Sequence, residues 1–139
     1  MALERTFGMI KPDAVKNGHL GKILALIEEN GFRVVALKTH HISKPQAEAF
    51  YEVHKARPFF GGLVNFMTEG KAVLLVLERE DAIAKWRELM GATDPAKAAE
   101  GTIRKKFAEN IERNSVHGSD SKETAAIEVP FFFSSSELL

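Results

Sequence analysis

The sequence predicts an α+β fold, a sheet with its helices packed on one face. Three observations lead there. Ala72 to Leu77 (AVLLVL) is an unbroken apolar run of strand length, the pattern of a central strand covered on both sides. Leu20, Ile23, Leu24 and Ile27 repeat at i, i+3, i+4 and i+7, which is one apolar stripe of a helix. The segments alternate, but not in strict βαβα order: strand, helix, strand, two helices, strand, helix, long loop, helix.

Taken along the chain, Arg5 to Ile10 reads as a short, mixed first strand. The striped helix follows, with Gly31 as its C-cap. Phe32 to Lys38 (FRVVALK) is rich in β-branched and apolar residues and reads as the second strand. The next helix starts at Ser43, with Pro45 in its first turn and Gln46 closing a capping box. Its stripe is Ala47, Phe50, Tyr51 and His54. Phe60, Leu63, Val64 and Met67 mark a third helix. After the central strand, a fourth runs from about Asp81 to Met90, with Ile83, Trp86 and Met90 inward. Gly91 to Gly101 is the longest irregular stretch, and loops of that size are often functional. A last helix covers Lys122 to Val129 and stops before Pro130. The serines Ser134 to Ser136 are expected to fray.

The 139 residues, 45% of them hydrophobic, suit one domain over 1–139 with one real core. Nineteen basic residues balance nineteen acidic ones, which argues against a general nucleic-acid coat but leaves room for a local basic pocket. There is no cysteine, so disulfides, cysteine nucleophiles and thiolate zinc sites are excluded and a reducing cytoplasm is the expected setting. No apolar run approaches the ~18 residues of a membrane span. The N-terminal residues lack the pattern of a cleaved signal peptide.

Several usual signatures are missing. Gly18-His19-Leu20-Gly21-Lys22 has the wrong spacing for a P-loop and lacks its hydroxyl. No G-x-G-x-x-G, H-E-x-x-H or G-x-S-x-G occurs. If this chain handles phosphates, it does so without a P-loop.

Three constellations remain. The densest is Asn114-Ser115-Val116-His117-Gly118-Ser119-Asp120-Ser121, just ahead of the last helix. A helix N-terminus offers free N–H groups and partial positive charge to an anion. A neutral imidazole there is a competent nucleophile if its other nitrogen is held as a donor, and Glu128 or Asp120 could hold it. Taken alone, a histidine in a polar turn is more often a solvated loop residue. His40 and His41 are adjacent on a strand and face opposite sides, so they are poor joint ligands. His19 lies in a glycine-flanked turn. The second constellation is cationic and dispersed: Lys11, Arg87 and Arg104, with Thr93 in the long loop. Such groups from distant segments could hold a polyphosphate, although each alone reads as surface charge. The third is Arg57-Pro58-Phe59-Phe60-Gly61-Gly62. Phe59 is rotated about 100° from the buried stripe, where it could stack on a base or serve as a hydrophobic staple.

Together these residues resemble the nucleoside diphosphate kinase family. Asn114 to Ser121 is similar to the family's active-site signature. Arg5-Thr6 with Ile10-Lys11-Pro12-Asp13, Arg57-Pro58-Phe59-Phe60, Gly91-Ala92-Thr93-Asp94-Pro95 and Gly101-Thr102-Ile103-Arg104 follow the family's order and spacing over nearly the whole chain. The resemblance implies a ferredoxin-like βαββαβ core, a four-stranded antiparallel sheet with additional helices. It implies a ping-pong transfer in which His117 takes the γ-phosphate of a nucleoside triphosphate on Nδ1 and passes it to a nucleoside diphosphate. By the same match, Lys11 and Asn114 contact the sugar and help at the phosphates, and Phe59 stacks on the base. Arg87, Thr93 and Arg104 hold the phosphates, with His54 assisting. Tyr51 lies near the transferring group, Glu128 orients His117, and Ser119 supports it.

Mg²⁺ is implied as a bridge between phosphate oxygens. The implied partners are ATP, GTP and deoxynucleotides, with neither nucleic acid nor membrane. A homo-oligomer is implied, since family members form tetramers or hexamers of a common dimer, and a tetramer is favoured over a hexamer. A nucleotide sensor or a histidine phosphocarrier on the same fold are the alternatives. A sensor could dispense with His117, and a phosphocarrier would not need Phe59 and the spread cations. Lys71, Arg79 and Asp94 depart from the family's usual proline, glycine and asparagine, outside the positions given chemistry.

Overall fold

A strand with no polar face has to sit inside a sheet, and Ala72–Leu77 does. The computed structural model describes residues 3–139. Four strands, β1 (Leu3–Ile10), β2 (Arg33–His41), β3 (Lys71–Glu80) and β4 (Val116–Gly118), form one sheet in the order β2-β3-β1-β4. Every neighbouring pair is antiparallel, with Gly8 opposite Leu75 on one side and Gly118 on the other. This is the ferredoxin-like arrangement.

The helices lie on both faces, which corrects the expectation of one covered face. Successive strand residues point to opposite sides, and β3 is apolar at each. Val73, Leu75 and Leu77 join a core with Ile23, Ile27 and Trp86. These come from α2 (Leu20–Glu29) and α5 (Ala82–Met90), with α1 (Pro12–Lys16) alongside. Ala72, Leu74 and Val76 join a second core with Ala47, Val64, Met67 and Phe132. These belong to α3 (Lys44–Phe50), α4 (Phe60–Met67) and α7 (Lys122–Phe132). A one-sided layer would have left half of β3 in water.

The capping box at α3 forms as its sequence demands. The Gln46 backbone N–H donates to Ser43 Oγ at 3.2 Å, and the Ser43 N–H donates to Gln46 Oε1 at 3.0 Å. The helix ends at Phe50, however, so the expected stripe breaks there: Tyr51 caps the helix and His54 lies in a separate 3₁₀ turn, Glu52–His54. Gly31 follows α2 at φ +83°, the left-handed conformation that glycine adopts freely. The last helix does not stop before Pro130 but runs through it to Phe132. Proline deprives the Ala126 carbonyl of its partner, yet Ala126 is exposed and water can serve it. The following turn is drawn inward by burial of Phe132 and Phe133.

Ser134 to Ser136 are likewise ordered. Ser134 and Glu137 cap the 3₁₀ turn Ser135–Leu138, Lys38 Nζ reaches Glu137 at 3.0 Å, and Arg5 Nη1 donates to the Leu138 carbonyl at 3.1 Å. Three elements had no periodic signal: α1, α6 (Ile103–Phe107) and β4, which are five, five and three residues long. No helix among the described residues is long and apolar enough to cross a membrane.

Trp86 decides the sequence of β4. A Cβ at Gly118 would lie 2.4 Å from the indole, closer than packing allows. Gly118→Ala therefore forces the fully buried Trp86 to move and is expected to lower stability by about 1–3 kcal/mol. A denaturant titration of both proteins measures this. Coincident midpoints would mean that the indole moves freely.

Candidate active site

The chain builds a cleft of about 720 Å³ where the end of β1, the end of α5, β4 and α7 converge. Lys11, Tyr51, His54, Arg87, Thr93, Arg104, Asn114, His117 and Glu128 all line it. The two remaining residues expected there stand just behind or beside it. Ser119 is fully buried beneath Glu128. Phe59 is half-exposed at the start of α4, its ring 5.4 Å from that of His54.

His117 sits in the middle of β4, paired with Met9 of β1. One turn of the sequence after the strand, α7 brings Glu128 back over it. Nε2 of the ring lies 3.2 and 3.3 Å from the two carboxylate oxygens of Glu128. Ser119 Oγ donates to the same carboxylate at 2.7 Å and keeps it from turning. Of the two carboxylates in reach by sequence, Glu128 is thus the partner. Asp120 points elsewhere and pairs with Arg87 at 3.0 Å. A carboxylate accepts, so in the neutral ring the proton is on Nε2 and the lone pair on Nδ1. Among the described residues Nδ1 has no hydrogen-bond partner and is not sealed from solvent.

Aromatic rings wall the imidazole in. Phe50 and Tyr51 meet it edge-on at centroid distances of 5.5 and 6.3 Å, and Phe7 at 6.1 Å. Trp86 Nε1 donates to the His117 carbonyl at 3.3 Å. The Tyr51 hydroxyl is buried without a partner among the described residues. Burial, then the Glu128 charge, pushes its pKa above the ordinary phenol value, so it stays a neutral donor.

Two of the cations, Lys11 and Arg104, are held by amide and main-chain carbonyl oxygens, whereas Arg87 pairs with Asp120. Lys11 follows directly on β1, and its backbone N–H donates to Ser115 O at 2.8 Å. Its side chain is buried and donates to Asn114 Oδ1 at 2.9 Å. Burial first, then the Arg104 charge, draws its pKa down to about 8, against the opposing charge of Asp13. Arg104 comes from the first turn of α6. It donates 2.9 Å bonds from Nη1 to Gly91 O and from Nη2 to Val116 O, joining the end of α5 to β4. Its Nε is buried and unpartnered among the described residues, and burial followed by the Arg87 charge draws its pKa down to about 10. Gly91 has to be glycine: its φ is +85°, and a Cβ would meet Thr102 Oγ1 at 2.6 Å.

The remaining histidines take structural partners. His40 meets Gln46 at 2.9 Å, His41 meets the Thr68 carbonyl at 2.7 Å, and His19 packs on Phe107. The departures from the family pattern stay off the cleft. Arg79 stacks over Phe32 at 5.3 Å, Asp94 caps the 3₁₀ turn Pro95–Lys97, and Lys71 opens β3. Sequence reasoning treated Phe50 and Trp86 only as packing residues. The spacing that marks a core stripe does not distinguish a ring resting on aliphatic neighbours from one resting on an imidazole.

A ferredoxin-like sheet with a tethered imidazole in a cationic cleft is the frame of a phosphotransferase that needs no P-loop. Comparison with known proteins says which. A family profile described as Nucleoside diphosphate kinase matches residues 4–138. The nucleoside diphosphate kinase of Azorhizobium caulinodans is 61% identical over 139 residues, covering 100% of this chain and 99% of that protein. That of Trichlorobacter lovleyi is 58% identical over 137 residues, covering 99% of each. Among solved structures, the Aquifex aeolicus nucleoside diphosphate kinase superposes with a TM-score of 0.96 at 45% identity, covering 99% of this chain and 100% of that one. A halophilic nucleoside diphosphate kinase from Halobacterium salinarum, solved in complex with CDP, has a TM-score of 0.95 at 40% identity, covering 99% and 92%. The chain belongs to the nucleoside diphosphate kinase family and is a nucleotide-binding phosphotransferase.

The position of Lys11 has a pH consequence. Its folded pKa of about 8 lies below the ordinary 10.5, so the cleft loses a positive charge as pH rises through 8. Nucleotide affinity, measured by calorimetry, is expected to fall across that window, and Lys11→Met to flatten the dependence. The stability sign is opposite. The buried charge is unfavourable below the folded pKa, and the cost disappears between it and the unfolded value, so the Lys11 contribution rises with pH there. A flat wild-type binding profile would refute the charge assignment.

Proposed function

We propose that the chain moves the γ-phosphate of a nucleoside triphosphate, chiefly ATP, to nucleoside diphosphates in two half-reactions through a phosphohistidine on His117. The observation that carries this is the bond from His117 Nε2 to Glu128, which leaves Nδ1 as the unengaged nitrogen in the cleft. The Nδ1 lone pair attacks the γ-phosphorus. The bond from phosphorus to the β,γ-bridging oxygen breaks, its electrons remain on the departing diphosphate, and a phosphoryl group is left on nitrogen. The ring is then an imidazolium, and Glu128 faces its Nε2–H. A second nucleoside diphosphate reverses the sequence with its terminal oxygen.

Such transfer depends on positioning and on stabilising spread negative charge more than on covalent chemistry. Lys11, Arg87 and Arg104, with the Thr93 hydroxyl, are the phosphate-holding groups in this reading, and His54 assists. Arg87 is half-exposed and paired to Asp120, so it is free to exchange that carboxylate for a phosphate. Asn114 and Lys11 meet the sugar, Tyr51 donates near the transferring group, and Ser119 holds Glu128. Phe59 stacks on the base by its π-face, which reads no base edge and predicts broad tolerance, GTP and deoxynucleotides included. The CDP complex of the Halobacterium relative is in keeping with a nucleotide in this cleft.

Mg²⁺ belongs with the nucleotide in this account. Among the described residues no three His, Cys, Asp or Glu side chains converge to hold a metal. That donor set suits an ion carried on phosphate oxygens with its own waters. Residues 1–139 act as one nucleotide-handling domain. We place the enzyme in the cytoplasm as a homo-oligomer, a tetramer rather than a hexamer.

Two experiments test the reading. With γ-labelled ATP, the wild-type protein is expected to take up an acid-labile, base-stable label that any nucleoside diphosphate discharges; His117→Ala should take up none and turn over no substrate. A labelled, active His117→Ala protein would refute the mechanism. Phe59→Ala should weaken nucleotide binding by about 1–3 kcal/mol with little change in the phosphorylated-enzyme chemistry. Unchanged affinity would remove Phe59 from the site.

A further inference from the structure

We propose that Asp13 is a positioning residue: its carboxylate holds the peptide of Ser115 in a strained turn and so aims Asn114 and His117 into the cleft. The proposal rests on the reading of His117 as the phosphate acceptor. Ser115 has φ +72° and, with Asp81, is one of two non-glycine residues at positive φ among the described residues. Its neighbours close a three-residue ring, the Val116 N–H donating to Asn114 O at 2.9 Å. A γ-turn with a central φ near +75° is the rare, strained form of that turn. The Ser115 side chain gives nothing back, since it is fully buried and its Oγ has no partner among the described residues.

Something else must hold the turn, and two bonds do. The Lys11 N–H donates to Ser115 O at 2.8 Å. The Ser115 N–H donates to Asp13 Oδ2 at 3.1 Å, across 102 positions of sequence. Asp13 is itself buried, and its other oxygen is unpartnered among the described residues. Space-filling alone would favour an apolar side chain there, because a buried carboxylate carries a desolvation cost. The turn it grips lies between two functional side chains. Asn114 on one side accepts from Lys11 Nζ, and β4 begins on the other, with His117 two residues on. Relaxing Ser115 to negative φ would rotate the Asn114–Ser115 peptide and turn both segments away from their partners.

Glycine provides the test, because it adopts positive φ without strain. Phosphohistidine formation from γ-labelled ATP, kcat and KM are measured for Asp13→Ala, Asp13→Asn and Asp13→Ala/Ser115→Gly, with thermal melts of each. Asp13→Ala is expected to slow phosphorylation by about tenfold to a hundredfold, mostly in kcat, as misplacement by about 1 Å does. The double variant should regain most of the rate, and Asp13→Asn, which keeps an acceptor for the Ser115 N–H, should lose much less. An Asp13→Ala enzyme at the wild-type rate, or a double variant no faster than the single one, overturns the proposal. If Asp13→Ala does not fold, Asp13→Asn decides: a near wild-type rate supports an acceptor role, and a loss of about tenfold or more overturns it. His117→Ala is run in parallel. Inert His117→Ala beside a normal Asp13→Ala refutes only this inference, whereas a labelled His117→Ala refutes the reading beneath it.

Discussion

The hydrogen bond between His117 and Glu128 joins the shortest strand of the sheet to the longest helix, and the geometry of the cleft follows from it. It assigns the proton to Nε2 and turns Nδ1 into a lone pair. To make the bond, α7 must cross β4 at one height, and that height is set by packing. Phe132 and Phe133 lock the far end of α7 onto the sheet beyond Pro130, while Trp86 under Gly118 fixes the level of β4. A hydrogen bond of little net energy in an ordinary setting thus depends on two buried aromatic contacts for its alignment. The aromatic ring set around the imidazole leaves it few other orientations.

A polyphosphate site without a P-loop faces an electrostatic problem. Cations gathered from separate segments repel one another and resist burial. Here the repulsion is met with carbonyl oxygens more than with carboxylates. Arg104 is held by two main-chain carbonyls and Lys11 by an amide oxygen, so neither is neutralised before substrate arrives. The pKa values of both groups are lowered, by burial first and by a neighbouring cation second. The same unpaired charge is what an incoming phosphate meets, and it meets it already oriented. Arg87 differs: it is half-exposed and has Asp120 as a partner to exchange.

Much of this was legible in the residues, for definable reasons. Four of the five longer helices, those starting at Leu20, Lys44, Phe60 and Ala82, show enough turns for a periodicity, and Ser43 with Gln46 declares a cap. The five-residue helices and the three-residue β4 have no period to read, so the strand that carries His117 was visible only through the family resemblance. Pro130 misled because a local rule met a tertiary one, the burial of Phe132 and Phe133. The one-faced sheet was wrong because a run like AVLLVL needs two cores to be buried. In the site, His117 and the cations could be named from motif spacing. The choice between Glu128 and Asp120 could not, since it depends on how α7 lies over β4. Asp13 was quoted only as part of a motif, because its partner at Ser115 is distant in sequence and the turn it holds has no signature of its own.

The strand order has a consequence for biosynthesis. β1 is translated first, yet both of its neighbours, β3 and β4, come from the second half of the chain. Its Phe7, Met9 and Ile10, all fully buried at the end, therefore leave the ribosome with nothing to pair against. Lys11 finds Asn114 only after 103 residues have been added. A nascent chain of this topology carries β1 without a sheet neighbour until β3 has been made and acquires its cleft only once α7 has followed. The window for chaperone engagement is consequently long, and no shorter intermediate has a partly working site.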